Sequence, residues 1–210
     1  MNDKYDSQLL IDLKKYNQKR KCAFSKMLLT GEVFEENKDF ERILKARYNK
    51  CSRIKKRMVY LFYRYKYIWF ITFTFDDELI SKSERTKRDT IKKCLNNYDF
   101  KYILNKDYGK NTEREHYHCI LATNQEINID VFMKEHYPCF SWSKRCRKDV
   151  NNINRLHKYI NKLTNHALKD TTICERVVYN FKGFDGLGLT EHEKWILFKR
   201  CYFDLLDEVM

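Results

Sequence analysis

From Tyr67 to Phe75 the chain reads Tyr-Ile-Trp-Phe-Ile-Thr-Phe-Thr-Phe, with a β-branched or aromatic residue at every position and no charge. Such residues lose side-chain freedom in a helix and pack well on a pleated surface. This run predicts a buried central strand, and whatever fold the chain adopts must be built around it. At the end of the run Phe and Thr alternate at period two, so its two faces differ in character.

The sequence before the run has a different period. From Phe40 onward, Phe40, Ile43, Leu44, Cys51, Ile54, Met58 and Leu61 recur near a helical spacing, with Arg47, Lys50, Arg53, Lys55, Lys56 and Arg57 between them. Residues 1–66 therefore read as a helical extension. It is strongly basic, with 18 Lys and Arg against 8 Asp and Glu.

Beyond the central strand the signals come in order. Ser83 precedes a helix of about a dozen residues in which Ile91, Cys94 and Leu95 face inward. Residues 100–107 form a second strand. A turn around Gly109 to Thr112 leads to a third, Glu115 to Ala122. Asn128 or Asp130 opens a short helix that Pro138 ends, Cys139 to Ser143 is a brief fourth strand, and a helix runs from Asn151 to Leu168. The order β-α-β-β-α-β plus a helix predicts an α+β, ferredoxin-like (RRM-like) antiparallel sheet with helices packed on one side. The tail adds a strand near Val177–Phe181 and a final helix that the Thr190/Glu193 capping box opens. The expected domains are a basic extension (1–66), a catalytic domain (67–170) and a C-terminal strand and helix (171–210).

Charge narrows the partners. The chain carries a formal net charge of +13, and a polyanion, nucleic acid above all, is the partner such a balance favours. Arg53, Lys55, Lys56, Arg57 and Arg155 are the candidate DNA-binding residues. The 8 cysteines include no CxxC pair, which argues against a zinc finger. With no long apolar run and no leader pattern, reduced thiols, a cytoplasmic location and no membrane partner are the expectation.

The chemistry is carried by His116-Tyr117-His118. Alternation along a strand puts both imidazoles on one face, where they form a chelate for a divalent ion, and turns Glu115, Tyr117 and Cys119 to the other. The preceding strand ends at Asp107, which a hairpin would bring beside the histidines. Glu113 and Glu115 are the competing carboxylates, one in the turn and one on the wrong face. On the helix 151–168, Ile153, Leu156, Ile160, Leu163 and Ala167 make an apolar stripe. Beside it runs a polar row of Asn152, Arg155, Tyr159, Lys162 and His166. Tyr159 is thus placed at the helix shoulder as a candidate nucleophile, with Lys162 a turn further on.

The order Phe-Ile-Thr-Phe-Thr-Phe (70–75), His-Tyr-His (116–118) and Tyr-Ile-Asn-Lys (159–162) resembles the three motifs of HUH-superfamily rolling-circle replication initiators (Reps). The likeness spans residues 67–168, about half of the chain. It implies that His116 and His118 are metal ligands, that Tyr159 is the nucleophile and that Lys162 steadies the charge beside it. Asp107, in Asp-Tyr-Gly-Lys, stands where many members carry Glu, and Leu163 stands where two-tyrosine members carry their second tyrosine. The implied cofactor is Mg²⁺ or Mn²⁺. The implied substrate is single-stranded origin DNA, with or without a hairpin, and host replication proteins are further partners. The implied activity is nicking and rejoining through a 5′-phosphotyrosine, in a small phage or plasmid. A single-tyrosine HUH transposase and a non-catalytic nucleic-acid-binding module are the alternatives.

Overall fold

The computed structural model describes residues 38–96, 98–108, 114–166 and 177–207, together with Lys15 and Gln18; the side chains of 38–45, 47, 48, 158, 159, 161–166 and 207 lie outside that description. Two compact units divide the chain, Met1–Lys55 and Lys56–Met210. The division falls inside the first described helix, α1 (Lys38–Arg64), rather than at its end. Of the first unit, the described part is the N-terminal portion of α1. Apart from Lys15 and Gln18, the rest of that unit lies outside the described residues.

The second unit is α+β. Its elements run β1 (Tyr67–Thr74), α2 (Asp77–Ile80), α3 (Glu84–Asn96), β2 (Lys101–Tyr108), β3 (Glu115–Thr123), α4 (Ile129–His136), β4 (Ser141–Arg145), α5 (Val150–His166), β5 (Val178–Tyr179) and α6 (Glu191–Asp207). One antiparallel sheet has the order β4-β1-β3-β2-β5. The first four strands follow a split β-α-β arrangement, in which β3 is inserted antiparallel between β1 and β2. The uncharged run from Tyr67 is accordingly interior to the sheet, flanked on both sides.

Local chemistry explains the helix boundaries. Ser83 Oγ accepts from the Thr86 backbone N–H at 3.2 Å at the start of α3. Asn128 Oδ1 accepts from Val131 N–H at 3.3 Å at the start of α4, which selects Asn128 over Asp130 as the cap. Thr190 and Glu193 form a reciprocal capping box: Thr190 N–H donates to the Glu193 carboxylate at 2.8 Å, and Glu193 N–H donates to Thr190 Oγ1 at 3.3 Å.

One buried cluster covers one sheet face, while Ile68, Ile103, Ile120 and Ala122 are buried on the other. Ile71 and Phe73 of β1, Tyr117, Cys119 and Leu121 of β3 and Tyr102 and Leu104 of β2 pack with Ile91, Cys94 and Leu95 of α3 and with Ile129, Phe132 and Met133 of α4. Each side chain of this size gains about 1.5–3 kcal/mol when fully buried. The opposite face receives α5, so the helices are not confined to one side. Asn105 of β2, register partner of His118, donates its Nδ2 to the Ile160 carbonyl of that helix at 3.3 Å.

Two elements differ from the sequence expectation. The fourth strand begins at Ser141 rather than Cys139, because pairing with β1 fixes its register at Phe73↔Ser141 and Thr72↔Trp142. The tail strand is only two residues long. Its neighbour Asn180 extends the ladder by side chain, with Oδ1 accepting from Tyr102 N–H at 2.8 Å and Nδ2 donating to the Phe100 carbonyl at 2.7 Å. No described helix is long and apolar enough to cross a membrane. Six described cysteines are free thiols. Burial pushes Cys94 up to about 11, which leaves it protonated and unreactive near neutral pH.

Candidate metal centre

Register builds the site. Asp107 lies opposite His116, and Asn105 and Thr72 lie opposite His118 on the two flanking strands. All five therefore share the face opposite the cluster formed with α3 and α4, while Tyr117 between the histidines enters that cluster. Asp107 and His118 are buried, at 7% and 3% exposure. The hairpin and HxH expectations thus place all three side chains together.

Their ligand atoms converge. His116 Nε2 and His118 Nε2 are 3.0 Å apart, and Asp107 Oδ2 lies 3.2 Å from each. Ligands at about 2.1 Å from an ion in an octahedral site are separated by about 3.0 Å along each edge, so this triangle has the size of one octahedral face. The far side of each imidazole is held as well. His116 Nδ1 donates to the Arg114 carbonyl at 3.2 Å, and His118 Nδ1 lies 3.0 Å from Thr72 Oγ1. Arg114 is itself anchored, its guanidinium donating to the Phe75 carbonyl and pairing with Asp77 at 3.1 Å. Committing Nδ1 on both rings leaves Nε2 as the ligating nitrogen. Phe70 stacks on the His118 ring with centroids 5.2 Å apart and fixes its plane.

The three groups also shape each other's protonation. Burial pushes the Asp107 carboxyl up, but hydrogen bonds from His116 and His118 and from the Tyr108 backbone outweigh it and hold the group well below the usual carboxylate range. The hydrogen bond to Asp107 raises His116, against the opposing effect of burial. Burial lowers His118. The arrangement is one carboxylate and two imidazoles converging on a point, and it could hold a divalent ion. One charge and two neutral nitrogens suit a cation of the Mg²⁺–Mn²⁺–Zn²⁺ range.

The competing carboxylates separate cleanly. Glu115 turns to the other face, where its Oε2 pairs with Lys87 at 2.6 Å and lies 3.8 Å from Lys106. Glu113 lies outside the described residues, as does the Gly109–Thr112 turn. Tyr159 and Lys162 lie on α5, one and two positions from Ile160, whose carbonyl Asn105 holds; their side chains are outside the description. Of the basic candidates, Arg53 and Arg155 are exposed and Lys55 and Lys56 half-exposed. Arg57 is engaged within its own unit, over the Tyr179 ring at 4.2 Å and 3.7 Å from Asp185. Arg155 bonds to Asn152 at its own helix start.

Sequence reasoning missed Thr72, Asn105 and Phe70 as supports. The alternation in Phe-Ile-Thr-Phe-Thr-Phe held a signal for Thr72 and Phe70, since both fall opposite the core-facing Ile71 and Phe73. Asn105 carried none, because its role depends on which helix crosses the sheet.

No known protein family and no curated protein matches the chain. Among solved structures, it is similar to the hypothetical protein ORF119 from Sulfolobus islandicus rod-shaped virus 1. The identity is 21%, the TM-score is 0.38, and the match covers 51% of this chain and 91% of that one.

Proposed function

We propose that this chain is a metal-dependent, single-strand DNA endonuclease of the HUH type. It would act as an initiator that nicks and rejoins origin DNA to start and end rolling-circle replication. One observation carries the reading. The Asp107–His116–His118 triangle and the helix with Tyr159 and Lys162 meet on one face of the sheet, where Asn105, the register partner of His118, donates to the carbonyl of Ile160, the residue that follows Tyr159.

In this reading Asp107, His116 and His118 hold Mg²⁺ or Mn²⁺, which when bound polarises the scissile phosphate. Tyr159 approaches the phosphorus in line with the 3′ oxygen. Its phenolic oxygen forms the new bond, the P–O3′ bond breaks, and the phenol's proton ends on the released 3′-OH. Lys162 offsets negative charge on the attacking oxygen or the phosphate. Rejoining is the reverse: a 3′-OH attacks the phosphotyrosine and Tyr159 leaves. The bond energy stays in the phosphotyrosine, so no nucleotide is consumed. The surplus of 18 basic over 8 acidic residues in positions 1–66 supports a role for the extension in gripping phosphate backbone.

Incubation with single-stranded origin oligonucleotides and Mn²⁺, followed by denaturing electrophoresis, tests the reading. A nickase gives a protein band shifted by the covalently held strand. A non-catalytic nucleic-acid-binding module gives a complex that denaturation dissolves entirely.

A further inference from the structure

The triad's side of the sheet continues past His118 to the last strand of the described sheet. β4 is the edge strand beside β1, and its register sets Trp142 opposite Thr72 and Lys144 opposite Phe70. Thr72 and Phe70 are the two residues that touch His118 from β1. Phe140 continues the same alternation two residues before Trp142. Its carbonyl is fixed by the Thr74 backbone N–H at 3.0 Å and by the Thr74 hydroxyl at 2.8 Å. Phe140 is 70% exposed and Trp142 49% exposed, and Lys144 is exposed as well.

Two large open rings followed by a cation, at alternate positions running from the residue before β4 into that strand, form an ordered row. From Trp142 to His118 is two strand spacings, roughly 10 Å. We propose that the Phe140–Trp142–Lys144 row is a stacking platform for the bases of a single nucleic-acid strand, holding the nucleotides next to the phosphate at the triad. The proposal deepens the endonuclease reading and rests on it only for what lies at the triad.

Chemistry selects this occupant. Bases of a single strand expose π-faces that a duplex keeps stacked, and aromatic side chains on a sheet receive them without regard to sequence. Lys144 supplies a cation for the backbone phosphate, and Arg147 and Arg155 are further exposed cations on the segments that follow β4. In a chain of net charge +13, an open aromatic row bordered by cations complements a polyanion with flat apolar groups, and an apolar protein surface supplies no such charge. Neither ring belongs to the described buried core cluster.

The test compares the full chain with Trp142→Ala, Phe140→Ala and the double variant, using fluorescein-labelled oligothymidylate and a duplex of equal length. Binding is measured in EDTA, so that cleavage cannot intervene, and Mn²⁺ affinity is measured separately. Loss of one stacked base weakens binding by about fivefold to a hundredfold. Trp142→Ala and Phe140→Ala are each expected to lose that much for the single strand, the double variant more, with duplex binding and Mn²⁺ affinity unchanged and Trp142→Phe largely restored. An unchanged single-strand affinity in the double variant overturns the proposal, as does an equal loss for duplex, and a change seen only in self-association would assign the row to a protein contact instead. The two readings fail separately. A wild-type protein that forms no covalent adduct, while Trp142→Ala still weakens oligothymidylate binding, keeps the platform and removes the endonuclease. An adduct that forms while the double variant binds normally does the opposite.

Discussion

Replacing Asp107 by Asn removes one charge from the centre and almost nothing else. The side chain is 7% exposed, with Oδ2 at 3.2 Å from both imidazole Nε2 atoms, so the amide has no room to turn to solvent. Asn retains an oxygen of the same reach, but it cannot neutralise a cation, and its NH₂ competes for the position facing the histidines. Losing a residue that only orients a ligand costs about tenfold to a hundredfold in metal affinity. Asp107 offers a ligand atom itself, so its loss should reach at least the upper part of that range, about 2.7 kcal/mol. Calorimetric titration of Mn²⁺ into the purified variant reads this directly. Glu115→Gln is the control. That carboxylate sits on the other face against Lys87, and its loss should leave Mn²⁺ affinity unchanged. In cleavage assays excess Mn²⁺ should restore part of the activity of Asp107→Asn. An affinity within twofold of wild type, or an equal loss in Glu115→Gln, would refute the assignment of Asp107 as third ligand.

Further expectations follow from the same contacts. Thr72→Val keeps the shape but removes the oxygen beside His118 Nδ1, and should weaken Mn²⁺ binding by about tenfold to a hundredfold with little change in thermal stability; unchanged affinity would mean the ring needs no such support. His116 titrates above its ordinary 6.5, mainly through its bond to Asp107. Protonated His116 therefore contributes to the stability of the metal-free fold fully below the unfolded value and loses that contribution as pH rises through the folded one. Mn²⁺ affinity should rise over the same interval, since the ion competes with that proton, and His116→Ala should flatten the profile measured by titration upward from its ordinary 6.5. Lys87→Met removes the nearer of the two cations beside the Glu115 carboxylate, leaving Lys106 at 3.8 Å, in a site where the Lys87 and Glu115 side chains are 7% and 12% exposed. Denaturant unfolding should show a loss of up to about 3 kcal/mol, the low end for breaking a buried pair, because Lys106 remains; a loss below about 1 kcal/mol would place that pair with surface ion pairs.

Much of the sheet could be read from local pattern, because strand and helix periods differ and capping residues mark the ends. Tyr67–Phe75 announced an interior strand, Ser83, Asn128 and Thr190 marked helix starts, and His116-Tyr117-His118 declared its own face by alternation alone. Asp107 was legible because a hairpin of two strands must set the end of one against the start of the other. The rest depended on contacts that no local window contains. The start of β4 at Ser141 follows from its pairing with β1 rather than from its own composition. Asn180 extends the sheet through a side chain nearly eighty residues from its partners. Asn105 looks like any polar residue in a strand until α5 is laid across it. Arg57 belonged to a basic run, yet its guanidinium lies over Tyr179 beside Asp185.

The central claim is that the metal triangle serves a tyrosine on α5, and one measurement addresses it. Wild-type protein, Tyr159→Phe and His118→Ala are incubated with single-stranded origin DNA and Mn²⁺, digested with protease, and mapped by mass spectrometry for a nucleotide-bearing peptide. The account predicts one modified peptide in the wild type, carrying a 5′-linked phosphate on Tyr159. It predicts none in Tyr159→Phe, which still binds the strand, and none in His118→Ala or in wild type with EDTA. A nucleotide on Tyr117, Tyr108 or Tyr179, or an adduct that persists in Tyr159→Phe, would contradict it.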